Sequence, residues 1–160
     1  MNFKTIILVV CIGLLTACRS HQYMSGYNIR NYGAKSDSTT DNAKAIQKTI
    51  DVCFHAGGGR VIIPRGIYLS GPLKLKSNID LHLEAGAKLL ANPDERIYQE
   101  SAFGDNRGEG MMWISGKDIK SLSISGKGTI DGNGITFMGD ELGDSYALKP
   151  VHDFDPRPHL

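Results

Sequence analysis

The sequence lacks an excess of charge of either sign. Its 160 residues include 18 Lys and Arg against 17 Asp and Glu, which gives a formal net charge of +1. A nucleic-acid-binding domain is usually basic overall or carries a basic stripe, and neither is visible here. Charge therefore argues against nucleic-acid binding and indicates no other partner, while the length suffices for one domain with a core.

The sequence also lacks an apolar run long enough to span a bilayer. The clearest run, residues 6–15, reaches about 15 Å as a helix, which is half the thickness of the hydrocarbon core. Lys4 precedes this run, so residues 1–17 are predicted to be an export signal rather than a membrane span.

The end of this signal, "LTAC" at residues 15–18, resembles the bacterial lipobox. The resemblance implies that Cys18 becomes the mature N-terminus and carries a lipid, with residues 18–26 as a polar tether. It also implies a lipid-anchored location in the bacterial cell envelope, on a periplasmic or outer-membrane face. The alternative is an ordinary secretory signal in which the cysteine occurs by chance.

Cysteine is scarce, with three in the chain. If Cys11 leaves with the signal and Cys18 is lipidated, Cys53 has no partner and no disulfide framework is possible. Cys53 falls on the apolar face of a predicted helix, where a free cysteine usually behaves as a small buried hydrophobe.

Glycine, by contrast, is abundant, with 19 residues. The stretch "GKGTIDGNG" at 126–134 has two interpretations. A phosphate-binding loop requires G-x-G-x-x-G between a strand and a helix. Here the spacing from Gly126 through Gly128 to Gly132 is one residue too long, and no apolar helical period follows. The other interpretation is a tight corner between two strands.

Hydrophobic periodicity predicts one helix, at about 41–55. Its predicted apolar stripe consists of Ile46, Ile50, Cys53 and Phe54. Thr40 or Asp41 is suited to cap the first turn, and the glycines at 57–59 end the helix.

After residue 60 the period changes from 3.6 to 2, which predicts short half-buried strands. The predicted inward positions are Val61, Ile63, Ile67, Leu69, Leu73, Leu75, Ile79, Leu81, Leu83, Ala87 and Leu89. Short strands with a turn every few residues are typical of a chain that winds around one narrow core.

A repeat supports this winding. The segment "LHLEAGAKLL" at 81–90 matches "LSISGKGTID" at 122–131, a separation of 41 residues that falls within the range of solenoid repeats. In this alignment Gly126 and Gly128 take the places of Ala85 and Ala87, so the glycines are predicted to form a structural corner. Residues 92–110, polar and containing glycine, are predicted to form a loop that leaves the coil.

Three stretches together resemble the pectin-lyase-type β-helices: "NIRNYGAKSDSTTDNAKAIQKTID", "GGGRVIIPRGIYLSGPLKLKSNIDLHLEAGAKLLAN" and "ISGKGTIDGNG". The third, followed by a loop and by "RPHL" at 157–160, is similar to the polygalacturonases of glycoside hydrolase family 28. The resemblance implies an all-β, right-handed parallel β-helix (solenoid) with one N-terminal capping α-helix and with its C-terminal coils missing. Residues 27–160 would then be the N-terminal part of this domain, with coils at about 60–134 and a loop at 135–160.

The chain departs from that family where chemistry is concerned. The family's Asn-Thr-Asp, Asp-Asp, Gly-His-Gly and Arg-x-Lys motifs do not occur. Two tripeptides, Asn78-Ile-Asp80 and Asn92-Pro-Asp94, lack the central Thr, and Asp80 and His82 are predicted to be solvated outward positions. No catalytic, cofactor-binding or metal-binding role is therefore assigned to any residue, and Cys18, as the lipidation site, is the sole site residue.

Weaker constellations have ordinary explanations. His152, Asp153 and Asp155 lie in a proline-rich segment without a second ligand cluster, which indicates a surface loop. The lysines 74, 76 and 88 are suited to an acidic polymer but more often keep a strand soluble. Trp113 is suited to stacking on a sugar ring, but packing explains it equally well.

The sequence is therefore predicted to be the N-terminal fragment of an exported polygalacturonase-like hydrolase that acts on pectic galacturonosyl bonds without a cofactor. Pectic polysaccharide would be the partner of the whole enzyme, whereas the 160-residue chain alone is predicted to be inactive. One alternative is a polysaccharide lyase of the same fold, which uses calcium and a base. Another is a non-catalytic glycan-binding β-helix or a truncated remnant.

Overall fold

A computed structural model describes residues 26–102 and 111–137. The predicted signal, Cys18, most of the tether and nearly all of the loop predicted at 135–160 lie outside the described residues. Within the described ranges, no helix is long and apolar enough to cross a membrane.

The described part of the chain has one α-helix, α1, which spans Ala43–His55 and closes one end of the fold. Ile46, Ile50 and Cys53 on its inner face are completely buried, as their spacing predicts. Phe54 is 38% exposed, so its predicted place in the buried stripe is wrong. Phe54 lies at the edge of the stripe, and the Lys76 ammonium sits 5.0 Å from its ring centroid.

The N-cap of α1 is Asn42, one or two residues after the predicted Asp41 or Thr40, and its side chain makes no capping hydrogen bond. Asp41 nevertheless holds the start of the helix. One oxygen of Asp41 accepts hydrogen bonds from the backbone N–H of Ala43 at 2.7 Å and of Gly71 at 3.1 Å. Its other oxygen accepts one from the Asn92 side chain at 2.8 Å. Asp41 therefore fastens the capping helix to two later parts of the chain.

In residues 26–102 and 111–137, nine strands form three sheets, and every pair of these strands is parallel. In chain order the strands are β1 Gly26–Asn28, β2 Gly59–Ile63, β3 Gly66–Ser70, β4 Leu73–Lys74, β5 Ile79–Leu83, β6 Ala87–Ala91, β7 Ile114–Ser115, β8 Ser123–Gly126 and β9 Thr129–Asp131. Sheet A has the order β1-β2-β5-β8, sheet B the order β3-β6-β9, and sheet C pairs β4 with β7. Successive coils thus stack strand on strand, and the predicted parallel β-helix is confirmed.

The core runs along the inside of the coils. In sheet A the inward column joins Val61, Leu81 and Ile124 in register, and the first two are completely buried. The inward prediction fails in β3, where Ile67 is 41% exposed and Tyr68 is completely buried. Tyr68 is tolerated inside because its hydroxyl reaches the capped end, where it accepts a hydrogen bond from Arg30 Nε at 2.8 Å.

The repeat predicted from the sequence is correct in sheet B and wrong by two residues in sheet A. Leu89 pairs with Ile130 as predicted, but Gly126 pairs with Leu83 rather than with Ala85. Ala85 is exposed in a turn. The chain takes five residue steps from Leu83 to Lys88 but three between their partners, Gly126 and Thr129, and an alignment without gaps cannot accommodate this difference of two.

The third coil, which contains β8 and β9, is uncovered on the side away from α1 in the described part of the chain. Ile124 and Ile130 occupy inward positions, yet they are 51% and 38% exposed. Nothing in the described ranges packs over them in the way that the second coil packs over the first.

The chain leaves the coil between β6 and β7, as predicted. A 3-10 turn at Glu95–Ile97 begins this excursion, and an antiparallel bridge between Ser101 and Met111 closes it. Glu100 forms an ion pair with Lys74 of β4, which attaches the excursion to sheet C.

Candidate functional site

The glycine corner at 126–128 already uses backbone N–H groups that a phosphate would need. The backbone N–H groups of Lys127 and Gly128 both donate to the Leu83 carbonyl oxygen, at 3.0 and 3.1 Å. Gly126 has a φ of +103°, and a Cβ on Gly128 would lie 2.6 Å from the Leu83 Cβ. Both glycines are therefore needed for backbone geometry and close packing, and the structural interpretation of this motif is confirmed.

A connected cluster of polar side chains lies on the outer face of sheet A. It consists of Arg60, Asp80, His82, Ser123 and Ser125, and we call it the sheet A network. Parallel pairing places Asp80 between Arg60 and Ser123, and His82 beside Ser125. Residues far apart in the sequence thus meet because successive coils are in register.

Asp80 is buried, so its predicted solvation is wrong, although it does point outward. Only 4% of the residue is exposed. Arg60 Nε donates to its Oδ2 at 2.7 Å, while Ser123 and Ser125 donate to its Oδ1 at 2.9 and 2.7 Å. The neighbouring coils therefore cover this carboxylate and satisfy it.

Burial alone would raise the pKa of the Asp80 carboxyl, but the hydrogen bonds from Ser125, Ser123 and Arg60 outweigh it and hold that pKa below its ordinary value of 3.8. A carboxylate that is ionised and already accepts three hydrogen bonds is a poor general acid or base near neutral pH. Asp80 is thus a structural anion.

His82 is half-buried rather than fully solvated. Its Nδ1 lies 2.8 Å from the Ser125 hydroxyl. Because Ser125 gives its single hydrogen to Asp80, the hydroxyl oxygen accepts from the Nδ1–H of His82. Ser125 thus lies between His82 and Asp80. His82 donates to the serine and does not take its proton, so it does not activate Ser125 as the histidine of a nucleophilic triad would.

Replacing Asp80 with asparagine is expected to lower the free energy of unfolding by about 1–3 kcal/mol at pH 7, because the Arg60 and serine donors lose their charged acceptor. The folded-state pKa of Asp80 is depressed, so its stabilisation is present above the unfolded-state value and disappears as the pH falls through the folded-state value. Urea unfolding of both proteins at a series of pH values from 7 down to 2 measures this difference.

Asp118, which is exposed in the turn between β7 and β8, provides the matched control. The substitution Asp118→Asn should leave the unfolding midpoint at pH 7 nearly unchanged. A difference between wild type and Asp80→Asn that stays constant down to pH 2 would contradict the role given to the ionised carboxylate.

The three lysines considered for an acidic polymer do not form one surface. Lys74 pairs with Glu100 beside sheet C. Lys76 pairs with Asp51 of α1 at 2.9 Å, and Lys88 pairs with Asp131 in sheet B at the same distance. Each lysine has its own carboxylate and serves its own part of the fold.

The remaining candidates are structural or fall outside the described residues. Trp113 donates its indole N–H to the Ser70 and Gly71 carbonyl oxygens at 3.0 and 3.1 Å and packs on the core. Cys53 is buried, and burial raises the pKa of its thiol. The segment 152–160, which contains His152, Asp153, Asp155 and "RPHL", lies outside the described residues. Within the described ranges, no three His, Cys, Asp or Glu side chains converge as a metal site.

The two predicted tripeptides are not brought together. Asp80 belongs to the sheet A network, whereas Asn92 follows β6 and bonds to Asp41. Asp94 accepts from the backbone and side chain of Arg96 and caps a short turn. The feature that sequence analysis missed is the pairing of Arg60 with Asp80, which lie 20 residues apart. Knowledge of the coil length would have revealed it.

Comparison with known proteins agrees with this architecture. Residues 26–89 match the family model described as rhamnogalacturonase A/epimerase, pectate lyase-like. Over 132 residues the chain is 38% identical to an exo-poly-alpha-D-galacturonosidase of Dickeya chrysanthemi, covering 74% of this chain and 22% of that protein. It is 43% identical over 137 residues to alginate lyase 7 of Azotobacter vinelandii, covering 76% of this chain and 16% of that protein.

Among solved structures, the family 28 exopolygalacturonase of Yersinia enterocolitica superposes with a TM-score of 0.59 at 37% sequence identity. The match covers 69% of this chain and 21% of that one. Stacked parallel coils, a capping helix and these neighbours define a right-handed parallel β-helix of the pectin-lyase type.

Within that class, the chain matches the N-terminal portion of relatives that include polygalacturonases of glycoside hydrolase family 28. It spans between about a sixth and a fifth of the length of the curated relatives described above.

Proposed function

We propose that this chain forms the N-terminal coils of an exported glycoside hydrolase that cleaves galacturonosyl bonds in pectin. The observation that carries the proposal is the 38% identity to an exo-poly-alpha-D-galacturonosidase over 132 residues, 74% of this chain. The stretch "GKGTIDGNG" at 126–134 agrees with it, because this stretch resembles the polygalacturonases.

The chemistry requires groups beyond those of the described coils. Hydrolysis with inversion needs one carboxylic acid for the leaving oxygen and a second carboxylate, about 6.5–9.5 Å away, to activate water. The most buried carboxylate, Asp80, is saturated by its three donors. In this proposal the described coils form a rigid scaffold. Later coils supply the general acid, the general base and the basic side chains that hold the substrate's carboxylate.

The test is to sequence the source locus beyond the codon for Leu160. A reading frame that continues, directly or after a single-base slip, into Asn-x-Asp, Asp-Asp, Gly-His-Gly and Arg-x-Lys supports the hydrolase. The extended product should then release reducing ends from polygalacturonate. A stop followed by unrelated sequence would overturn the proposal in favour of a binding module or a remnant.

The chain of residues 19–160 alone is expected to release no reducing ends from polygalacturonate above a buffer control. Among its described residues, the carboxylates of Asp80 and Asp131 are already engaged by Arg60 and Lys88. A reducing-sugar assay with a commercial polygalacturonase as positive control measures this. Steady release by the purified chain would contradict the assignment of the chemistry to later coils.

A polysaccharide lyase is the second candidate, and the 43% identity to an alginate lyase favours it. Elimination leaves a double bond that absorbs in the ultraviolet, whereas hydrolysis does not. Incubating the extended product with polygalacturonate and with alginate, and recording both absorbance and reducing ends, separates the two reactions. Calcium dependence would further support the lyase.

We also propose that Cys18 is lipidated and anchors the protein in the bacterial cell envelope. The positive start, the short apolar run and "LTAC" support this. Mass spectrometry of the N-terminal peptide from a bacterial membrane fraction should find a diacylated cysteine. Replacement of Cys18 by alanine should abolish the modification, and an unmodified Cys18 in the mature protein would contradict it.

A further inference from the structure

The outward side of α1 carries a small basic and apolar surface. Lys44, Lys48, Val52 and His55 follow a spacing of four, four and three residues, which places them along one side of the helix. All four are exposed, and Val52 is 38% exposed. We call this surface the cap face.

The charges of the cap face are not neutralised by the described residues. In the described ranges, no carboxylate lies within ion-pair distance of Lys44 or Lys48. The neighbouring Asp51 is paired with Lys76 at 2.9 Å, and Asp41 is occupied by the backbone and by Asn92. The cap face therefore presents two cations beside an exposed valine.

The chain enters the fold at the same end. β1 starts at Gly26 and is the edge strand of sheet A. The turn that follows it, Ile29–Tyr32, contributes Ile29 to the core cluster that includes Ile46 and Ile50 of α1. From Cys18 to Gly26 the chain has eight residue steps, which reach about 28 Å at most when fully extended. A lipid on Cys18 would thus hold the capped end close to a membrane surface.

We propose that the cap face docks on an anionic phospholipid surface beside the lipid on Cys18. The inference rests on the proposed lipidation of Cys18. Cationic side chains flanking exposed apolar ones are suited to the headgroup region of an anionic bilayer. A second copy of the chain is a poor occupant, because it would bring the same two lysines against each other. Docking would orient the solenoid with its open third coil away from the membrane.

Each lysine near an anionic surface contributes about 1 kcal/mol to the free energy of docking. This corresponds to about a fivefold change in the ratio of docked to undocked protein. Replacing both lysines by glutamine should therefore lower this ratio about 25-fold. Lys117 and Lys127 are also exposed and lie on later parts of the fold, so Lys117→Gln with Lys127→Gln is the charge-matched control.

The experiment uses the full, lipidated chain in vesicles of phosphatidylcholine with and without phosphatidylglycerol. An environment-sensitive thiol dye is placed at Val52→Cys, since the buried Cys53 is protected from labelling. Quenching by a lipid-attached quencher measures the docked fraction, and vesicle flotation separately measures anchoring. We expect quenching in anionic vesicles, little quenching in zwitterionic ones, loss with Lys44→Gln and Lys48→Gln, and retention in the control pair.

Flotation without quenching in anionic vesicles would overturn the docking while leaving the lipid anchor intact. Failure of the wild-type chain to float would overturn the lipid anchor instead. Equal quenching in the Lys44→Gln, Lys48→Gln variant would overturn the assignment to the cap face. If soluble polygalacturonate shifts the dye emission and anionic vesicles do not, the cap face binds an acidic polymer and the membrane assignment is wrong.

Discussion

Replacing Gly126 with alanine is expected to destabilise the protein by about 3–5 kcal/mol, from backbone strain and overpacking together. The residue has a φ of +103°, which L-residues rarely adopt, and an added Cβ would overlap the Leu83 carbonyl oxygen of the preceding coil. That oxygen also accepts the hydrogen bonds of Lys127 and Gly128, so it cannot move without breaking the corner. Urea unfolding followed by circular dichroism measures the loss.

Gly132 provides the control within the same motif. A Cβ there would meet nothing within 4 Å, so Gly132→Ala should change the unfolding free energy by less than about 0.5 kcal/mol. If Gly126→Ala were as stable as Gly132→Ala, the corner would not depend on glycine and its structural interpretation would be wrong.

Truncating Leu81 to alanine is expected to cost about 2–5 kcal/mol, the range for a leucine lost from a packed core. Leu81 is completely buried and occupies the middle of the inward column of sheet A, between Val61 and Ile124. Its removal leaves a cavity between two coils, and rigid strands on both sides limit collapse. Thermal or urea unfolding of the purified variant measures the effect.

Ile67 is the matched control, since it is a strand residue of similar size that is 41% exposed. Ile67→Ala should cost well under half as much as Leu81→Ala, because less apolar area is buried at that position. Equal losses would mean that the inward and outward sides of the coils are not distinguished energetically.

The stacked-coil fold could be predicted from the sequence because its main signal is local. Alternation by two places Val61, Ile63 and Leu81 inside, and all three are completely buried. The period of 3.6 does the same for Ile46 and Ile50 of the capping helix. These patterns depend on neighbours a few residues away, which a single sequence displays directly.

The surroundings of Asp80 and Tyr68 could not be predicted in this way. Asp80 is buried by Arg60, by Ser123, which lies 43 residues further along the chain, and by Ser125, which lies 45 residues further. The register that joins these residues depends on turn lengths that alternation does not reveal. Tyr68 is inward because Arg30, 38 residues earlier, donates a hydrogen bond to its hydroxyl oxygen at the capped end. Lipidation of Cys18 stays a prediction.

The excursion between β6 and β7 shows how such a protein can change its surface without altering its scaffold. Arg60 and Asp80 are neighbours across 20 residues, whereas Asp80 and Ser123 are neighbours across 43. Roughly doubling the chain between two coils adds only about 0.6 kcal/mol to the entropic free-energy cost of closing that loop. Length variation in this excursion therefore costs little free energy. The segment can change in length and sequence while the stacked strands stay in register.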